Sequence, residues 1–393
     1  MAKIIMFSNR LIIGGPSVHL LSLVEYFSQK HSILLIYGAP LANEATMEEE
    51  FARFDVQLYK IDKLKRSKNP ILDIISMNTV GRLIQEFKPD IIHTHTYKPG
   101  LIGRVMAKKY GIKRIIHTYH GLIFDTYFSK TLSLTLAKID KQLAKSTDVI
   151  IALSETQQKQ IIANIGAAVA DKIKVIPLAV SEQEYKFTPA SGANYRKKMG
   201  IADNTVLLAM LGRLADVKNV GMAIDAFAEL KNNSRADNAI LLIIGDGEQK
   251  QMLVSKAANI GLRVSFDTAV DNTDILFVGW QRELIPIYSA MDILLLTSKN
   301  EGTPFNIIEA QMMHTAVIAP LVGGIPDIVE DGKTALLYTK NSDLLLNIES
   351  LISDKELLLE MKQKGLNFAK QNFSMSKMLN SYEKLYTIED ENN

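Results

Sequence analysis

The chain has 393 residues, of which 47% are hydrophobic and 22% charged, a composition typical of a soluble globular protein with two separate cores. The net charge of +2 excludes a protein that binds polyanions over its whole surface. There is no cysteine, which excludes disulfides and thiolate chemistry and favours a reducing compartment. No signal peptide or bilayer-spanning run is visible, so we expect a cytoplasmic protein that at most lies on the inner face of the cell membrane.

Short β-branched runs alternate with stretches of helical periodicity along the chain. Candidate strands span residues 3–7, 33–37, 56–59, 91–94, 113–117, 149–153 and 173–176, then 206–211, 239–244, 275–278, 293–296 and 316–319. This alternation predicts an α/β fold with two parallel sheets. Pro, Ser and Gly gather at residues 177–191, so we place the domains at 1–180 and 181–372. From residue 373 the chain is amphipathic and helical to about residue 388.

The loops that follow strands are the first candidates for a site, because ligands of open α/β sheets bind beyond the carboxyl ends of the strands. After the first predicted strand, Gly14 and Gly15 precede Pro16 at a helix start. Flexible glycines and helix-start N–H groups favour a phosphate contact, but a tight strand-to-helix turn uses the same residues.

Four histidines stand at two predicted strand ends. His93 and His95 end one strand, and His117 and His120 follow the next. Neutral imidazole is a common metal ligand, but no carboxylate or further ligand completes a site nearby. We therefore predict no metal site, and we expect these side chains to be held by hydrogen bonds.

The segment from Lys60 to Arg114 is basic, with thirteen Lys and Arg against four acidic residues. Such a face could dock on anionic lipid headgroups, where each charge near the surface contributes about 1 kcal/mol. An ordinary solvated basic surface explains the composition equally well. Nucleic acid is not expected as a partner, because no binding module is visible and aromatic residues are sparse.

Two cations follow the first predicted strand of the second half. Arg213 comes directly after Gly212, and Lys218 lies near the start of the next helix. Arg offers a planar fork of donors and Lys a compact charge, the two forms of positive charge that suit a diphosphate. Two exposed basic residues are the plainer alternative.

The densest motif reads SKNEGTPFNIIEA, from residue 298. Its sequence predicts Thr303 as N-cap and Pro304 as first helical residue, with Glu301 in the loop above a strand end. Glu309 then lies in the helix, about 7–8 Å further along the axis than Pro304. A second loop carries Gly323 and Gly324, where backbone N–H groups could approach an anion.

Glu301, seven residues, Glu309 and then the glycine pair resemble the retaining glycosyltransferases of the GT-B group, family 4. The likeness is dense over residues 298–337. Elsewhere the chain is similar to the subset that builds cell-surface polysaccharide and lipopolysaccharide. The resemblance implies two Rossmann-like domains facing a cleft, the first binding acceptor and the second nucleotide-sugar. It also implies a terminal helix, at about residues 373–393, that crosses back to the first domain.

The resemblance further implies the site residues. It assigns the nucleotide-sugar donor to Gly14, Gly15, Arg213, Lys218, Gly279, Trp280, Glu301, Gly302, Thr303, Phe305, Asn306 and Glu309, and catalysis to His120, Glu301, Arg213 and Lys218. In this assignment Glu309 binds the ribose, Glu301 the sugar hydroxyls, and the two cations the diphosphate. His120 contacts a sugar hydroxyl or the transition state, and the backbone at Gly279 and Trp280 meets the base.

The implied reaction is metal-independent and retaining, with a nucleoside-diphosphate sugar as donor and no further cofactor. A UDP-sugar is favoured, and a glycan or polyprenyl-linked oligosaccharide is the expected acceptor. Three alternatives stay open: a retaining glycoside hydrolase, whose two carboxylates lie roughly 5–5.5 Å apart, a nucleotide-sugar 2-epimerase, and a non-catalytic partner subunit of a synthase. His314 and Ala335 stand where the family commonly has glycine.

Overall fold

The computed structural model describes residues 1–41, 44–65, 69–121, 130–270 and 272–387. The chain forms two compact units. The first comprises Met1–Leu178 together with the C-terminal residues from Ser376, and the second comprises Ala179–Met375.

Within the described residues, the first unit is built on a seven-stranded parallel sheet. Its strands are β1 (Lys3–Phe7), β2 (Ser32–Gly38), β3 (Gln57–Ile61), β4 (Ile91–His95), β5 (Arg114–Thr118), β6 (Val149–Ala152) and β7 (Ile173–Val175). Its helices are α1 (Gly15–Phe27), α2 (Glu48–Phe51), α3 (Pro70–Phe87), α4 (Tyr97–Lys109), α5 (Lys130–Lys145) and α6 (Glu155–Ile165). The strand order β3-β2-β1-β4-β5-β6-β7 places the reversal of chain direction across the sheet between β1 and β4.

The second unit repeats this plan with a second seven-stranded parallel sheet over the described part of the chain. Its strands are β8 (Val206–Leu211), β9 (Ala239–Ile244), β10 (Val264–Phe266), β11 (Ile275–Val278), β12 (Ile293–Leu295), β13 (Ala316–Pro320) and β14 (Leu336–Tyr338). Its helices are α7 (Pro189–Met199), α8 (Val220–Asn232), α9 (Lys250–Asn259), α10 (Ile285–Ala290), α11 (Phe305–Met312), α12 (Asn341–Ser353) and α13 (Lys355–Asn372). In the order β10-β11-β9-β8-β12-β13-β14 the reversal lies between β8 and β12.

The central strands β8, β9 and β12 of the second sheet are apolar along their whole length, as expected for a parallel sheet that helices cover on both faces. Every residue of β9 is buried, and Leu241 and Ile243 pack in one core cluster with Phe227 of α8. In the first sheet Ile5 and Phe7 of β1 pack with Ile92 of β4 in the same way. These two cores fix the strand ends from which the candidate site residues project.

A charged cluster joins three elements of the second unit. Asp292, directly before β12, accepts hydrogen bonds from Arg196 of α7 and Lys362 of α13, each at 2.6 Å, and from the backbone N–H of Leu207 at 2.9 Å. Burial by itself would raise the pKa of Asp292, but Lys362 and Arg196 outweigh it and hold the pKa below its ordinary value. The cluster therefore fastens two helices to the sheet beside β8.

The last helix, α14 (Met375–Tyr386), packs on the first sheet, as the resemblance implied. The hydroxyl of Tyr386 lies 2.6 Å from Nδ1 of His93, and Arg114 donates to the carbonyl of Leu385 at 2.9 Å. Lys30 of the same unit forms an ion pair with Glu383 at 2.6 Å.

Three sequence-based expectations are corrected. The helix after the motif begins at Phe305 with Pro304 as its N-cap, so Thr303 is not the cap. Proline has a fixed φ that suits this position as well as the first helical one. The three-residue strands β10 and β14, which form the two edges of the second sheet, were not predicted.

In the basic segment from Lys60 to Arg114, some of the cations are buried or neutralised by acidic partners. Arg104 is fully buried and paired with Asp140, and Lys60 pairs with Glu48 at 2.7 Å. Arg66 and Lys68 lie outside the described residues.

Candidate active site

A pocket opens in the second unit where the chain direction reverses between β8 and β12. It has about 320 Å³ of empty space, part of it open to solvent, and its polar lining comes from the two loops that follow these strands. The lining includes Gly212, Arg213, Lys218, Thr297, Ser298 and Asn306. Strand carboxyl ends at such a reversal are the usual ligand site of an open α/β sheet.

Lys218 is held firmly at this pocket. It ends a 3₁₀ turn (Asp216–Lys218), and the hydroxyl of Thr297 donates to the carbonyls of Lys218 and Asn219 at 3.1 and 2.9 Å. Its ammonium group pairs with Oε1 of Glu301 at 2.6 Å. The hydroxyl of Ser298 donates to the same oxygen at 2.6 Å. A fixed cation and a fixed carboxylate thus meet at the pocket.

Arg213 also lines the pocket, but its guanidinium is closer to solvent. It pairs with Glu248 at 3.0 Å, and its side chain is 44% exposed. Exposed pairs of this kind contribute about 1 kcal/mol or less, so an arriving anion could take the place of Glu248 at small cost.

The loop that carries Glu301 rests against the glycine pair of the neighbouring loop. The N–H of Gly324 donates to the carbonyl of Gly302 at 2.8 Å. Gly323 has a φ of +56°, and a Cβ there would lie 1.7 Å from the carbonyl oxygen of Glu301. No side chain fits at this position, so glycine is required for the close approach of the two loops.

Thr303 of the same loop presents an unmet polar atom. Its hydroxyl oxygen is buried and has no hydrogen-bond partner among the described residues. Asn306 points toward the carbonyl of Leu211 at the end of β8, 3.4 Å away. The side chain of Asn306 therefore lies beside the end of β8 and lines the pocket.

Glu309 lies in helix α11, but its side chain is not exposed to solvent. It is 6% exposed, and its two carboxylate oxygens accept hydrogen bonds from Tyr185 at 2.5 Å and Tyr288 at 2.6 Å. Burial raises the pKa of Glu309, and the two hydroxyl donors offset part of that rise. Neither tyrosine was predicted from the sequence, and no local pattern connects them to the motif.

Other predicted residues lie apart from this pocket's lining. Trp280 is 40% exposed at the loop after β11, and a Cβ on Gly279 would meet nothing within 4 Å. Gly14 caps α1, so the predicted glycine turn precedes a helix as expected. Gly14, Gly15 and His120 belong to the first unit, whereas Arg213, Lys218 and both glutamates belong to the second.

The histidines of the first unit gather at the reversal between β1 and β4. His95 of β4 lies with its Nδ1 3.1 Å from Nε2 of His120, and His19 of α1 packs against both rings. His93 bonds Tyr386 and Thr118 through its two ring nitrogens, as expected for a histidine held by hydrogen bonds. Burial lowers the pKa of each, to about 3 for His93 and about 4 for His120. Sequence analysis missed His19, because it comes from a helix rather than a strand end.

Two family models together cover most of the chain. The model for "Glycosyl transferases group 1" matches residues 192–368, and the model for "Glycosyltransferase Family 4" matches residues 13–184. This chain is a group 1, family 4 glycosyltransferase. The expected enzyme class and the fold of two Rossmann-like domains are confirmed.

The relatives of this glycosyltransferase include named glycosyltransferases, one of which has a sugar nucleotide in its name. It is 28% identical over 335 residues to the UDP-Gal:alpha-D-GlcNAc-diphosphoundecaprenol alpha-1,3-galactosyltransferase of Escherichia coli, covering 84% of each chain. It is 26% identical to the D-inositol 3-phosphate glycosyltransferase of Corynebacterium aurimucosum, over 76% of this chain and 71% of that one. Anabaena HepE, solved in complex with UDP and glucose, shares the fold with a TM-score of 0.81, 19% identity and coverage of 98% and 99%.

The structure brings some predicted residues of the glycosyltransferase together and adds others. Arg213, Lys218 and Asn306 line one pocket, and Glu301 joins it through Lys218. Ser298 and Glu248 are additions that sequence analysis did not name, and both are partners of predicted residues.

Proposed function

We propose that this glycosyltransferase moves a sugar from a UDP-sugar to a polyprenyl-linked or oligosaccharide acceptor in surface polysaccharide synthesis, with retention of configuration and without a metal. The E. coli relative uses a UDP-sugar and a diphosphoundecaprenol acceptor by its name. The Anabaena structure holds UDP and glucose by its title. Both support a uridine donor for this chain.

One observation carries the proposal: Lys218 and Arg213 line a single pocket at the strand reversal, with Glu301 bonded to Lys218. Negative charge develops on the leaving diphosphate during sugar transfer. Fixed cations that face this charge lower the barrier without a metal ion. In the free protein both cations are paired with carboxylates, so neither charge is left buried and alone before the donor arrives.

Glu301 and Glu309 take the two hydroxyl-bearing ends of the donor in this proposal. One oxygen of Glu301 accepts hydrogen bonds from Lys218 and Ser298, and its second oxygen accepts none within the described part of the chain. Each oxygen of Glu309 already accepts a tyrosine hydroxyl. Because a carboxylate oxygen has two lone-pair directions, each can accept one further O–H from the ribose.

In this proposal the first unit binds the acceptor. His120, Gly14 and Gly15 stay a prediction from the sequence resemblance. The exposed isoleucines Ile71, Ile74 and Ile75 of α3, at 64%, 58% and 41%, support an acceptor held at a membrane surface. Lys98 pairs with Asp73 of the same helix and donates to the carbonyl of the exposed Lys65. Among the described residues, no helix combines the length and apolarity needed to cross a bilayer.

The proposal is tested with a thermal-shift panel of sugar nucleotides, followed by transfer assays with the donor that raises the midpoint most. The assays use a polyprenyl-diphosphate-linked sugar as acceptor, with and without EDTA. We expect EDTA-resistant transfer and, by NMR, a product with the donor's anomeric configuration. An inverted product or loss of transfer in EDTA contradicts the mechanism.

Three further outcomes would replace the proposed function. Inversion at C2 of the sugar without acceptor identifies a nucleotide-sugar 2-epimerase. Donor binding without turnover of any acceptor identifies a non-catalytic partner subunit. Cleavage of a plain glycoside in place of the sugar nucleotide would indicate a hydrolase.

A further inference from the structure

His95 and His120 share one hydrogen bond at the carboxyl edge of the first sheet. Nδ1 of His95, at the end of β4, lies 3.1 Å from Nε2 of His120, in the loop after β5. Burial keeps both rings neutral, because it lowers the pKa of His95 and brings that of His120 to about 4. A neutral imidazole carries a hydrogen on one nitrogen and a lone pair on the other. One ring therefore donates this bond and the other accepts it.

The second nitrogen of His95 indicates which ring donates. The side chain of His95 is fully buried, and its Nε2 has no hydrogen-bond partner among the described residues. A buried N–H without an acceptor is rarer in proteins than a buried acceptor without a donor. The hydrogen of His95 therefore belongs on Nδ1, which donates it to Nε2 of His120. Because Nε2 of His120 accepts this bond, the hydrogen of His120 belongs on its own Nδ1.

From this arrangement we propose that His95 is a positioning residue, which sets the tautomer of His120 so that Nδ1 presents an N–H to an oxygen of the donor sugar. The inference rests on the proposed function, in which His120 contacts a sugar hydroxyl or the transition state. Within the described part of the chain, Nδ1 of His120 makes no hydrogen bond, and His120 is the more exposed of the two rings. Nδ1 is therefore the nitrogen that a ligand can reach.

The tautomer of His120 decides how a sugar hydroxyl can bind. A hydroxyl accepts hydrogen bonds through its oxygen and donates one through its hydrogen. An N–H of His120 binds the oxygen and leaves the hydroxyl hydrogen for a carboxylate. In the opposite tautomer Nδ1 would be an acceptor and would compete with a carboxylate for that hydrogen. A neutral donor also adds no positive charge beside the sugar carbon, which becomes electron-poor as the diphosphate leaves.

The surroundings hold His95 in one orientation. The ring of His93 packs against that of His95 with centroids 4.0 Å apart, and His93 is itself bonded to Tyr386 at 2.6 Å and to Thr118 at 2.8 Å. Thr96, directly after His95, has a φ of +66° and a ψ of 170°, a backbone region that is almost confined to glycine. Such strain persists only where the surrounding structure determines it, which supports a side chain whose direction matters.

The tautomer is measured by ¹⁵N NMR of the free full chain with ¹⁵N-labelled histidine. We expect the signals of His120, identified by their loss in His120→Gln, to show the hydrogen on Nδ1. Two variants then test the role of His95 in transfer. His95→Asn keeps an N–H donor on Cγ, so it should retain most of kcat/KM for the UDP-sugar. His95→Asp places a carboxylate there, which only accepts and which raises the pKa of His120.

The pH profile of His95→Asp separates positioning from a structural role. Above the raised pKa, His120 carries its hydrogen on Nε2, and kcat/KM should fall about tenfold, the loss of one hydrogen bond. Below that pKa both nitrogens carry a hydrogen, and kcat/KM should recover. The neighbouring rings of His19, His93 and His117 have lowered pKa values and stay neutral over this range. UDP affinity should not change, because UDP has no donor sugar.

The proposal is overturned if the wild-type signals place the hydrogen of His120 on Nε2, or if His95→Asp keeps the kcat/KM of the control at every pH. The control is His314→Asn, a histidine change in the second unit at a φ of +58° that asparagine tolerates. Circular dichroism establishes whether each variant folds, and the wild-type spectrum decides where His95→Asp does not. The spectrum needs no sugar nucleotide, so a wrong tautomer contradicts this inference alone, whereas absence of transfer contradicts the proposed function.

Discussion

Tyr288 donates its hydroxyl to Oε2 of Glu309 at 2.6 Å, and both side chains are buried in the second unit. Tyr185, 124 residues before Glu309 in the chain, occupies the other carboxylate oxygen. Glu309 is therefore fixed from two sides before any ligand is bound. A carboxylate held in this way loses little rotamer freedom when it accepts hydroxyls from a ribose, which favours tight binding.

Tyr288→Phe removes the hydroxyl that donates to Oε2 of Glu309 and leaves that oxygen without this hydrogen bond. A hydrogen bond to a charged group contributes about 1.5–3 kcal/mol, so we expect the free energy of unfolding to fall by about that amount in a urea titration. UDP affinity, measured by calorimetry, should fall about tenfold if 1.4 kcal/mol of positioning is lost. Tyr195→Phe is the control, because the buried Tyr195 hydroxyl has no partner among the described residues. Unchanged UDP affinity in Tyr288→Phe would remove the positioning role.

Lys218→Ala should reduce turnover far more than stability. Removing one group that stabilises transition-state charge typically costs 10²–10³ in kcat, and we expect a loss of that order in the transfer assay. The pair with Glu301 is partly exposed, so its loss should change the free energy of unfolding by about 1 kcal/mol or less. Lys299→Ala removes a nearby lysine that pairs with exposed Asp216 and should leave kcat unchanged. Equal rates for both variants would exclude Lys218 from the reaction.

Gly323→Ala should displace the loop that carries Glu301. The new Cβ would lie 1.7 Å from the carbonyl of Glu301, so the two loops must separate as well as accept a strained φ. Gly332→Ala separates the two effects, because Gly332 has a φ of +72° but open space around a Cβ. We expect a loss of about 1 kcal/mol in Gly332→Ala from strain alone. Gly323→Ala should lose more, together with donor binding, by thermal shift with and without UDP. Similar behaviour of the two variants would contradict the close-approach argument.

Asp292→Asn should make stability depend less on pH. The folded pKa of Asp292 lies below the ordinary 3.8, so its ionisation stabilises the fold above that value, and this contribution is lost as pH falls through the folded pKa. At pH 7 the variant leaves Arg196 and Lys362 facing a neutral amide, and we expect a loss of about 3 kcal/mol. The gap to wild type should narrow in urea titrations from pH 7 to pH 3. Asp216→Asn, at an exposed pair, is the control. A gap that stays constant with pH would show that Asp292 is not the group that titrates.

The sequence by itself determined the class of fold and the chemistry of the second unit's loops. Strands β8, β9 and β11 were predicted with the bounds that the structure has, because buried parallel strands read as continuous apolar runs. Glu301 and Glu309 could be placed in a loop and in a helix because capping residues and proline act over one turn of chain. The edge strand β10 escaped prediction because Ser265 at its centre interrupts the apolar run.

Only the tertiary structure decided which side chains meet. The pairing of Lys218 with Glu301 joins residues 83 apart, and the bond between Tyr185 and Glu309 joins residues 124 apart. The ring of His19 packs against those of His95 and His120 from a helix that is distant from both in the sequence. Local sequence patterns report backbone preference and burial, which are set within a few residues. Contacts between loops depend on strand order, and strand order is fixed by the packing of the whole sheet.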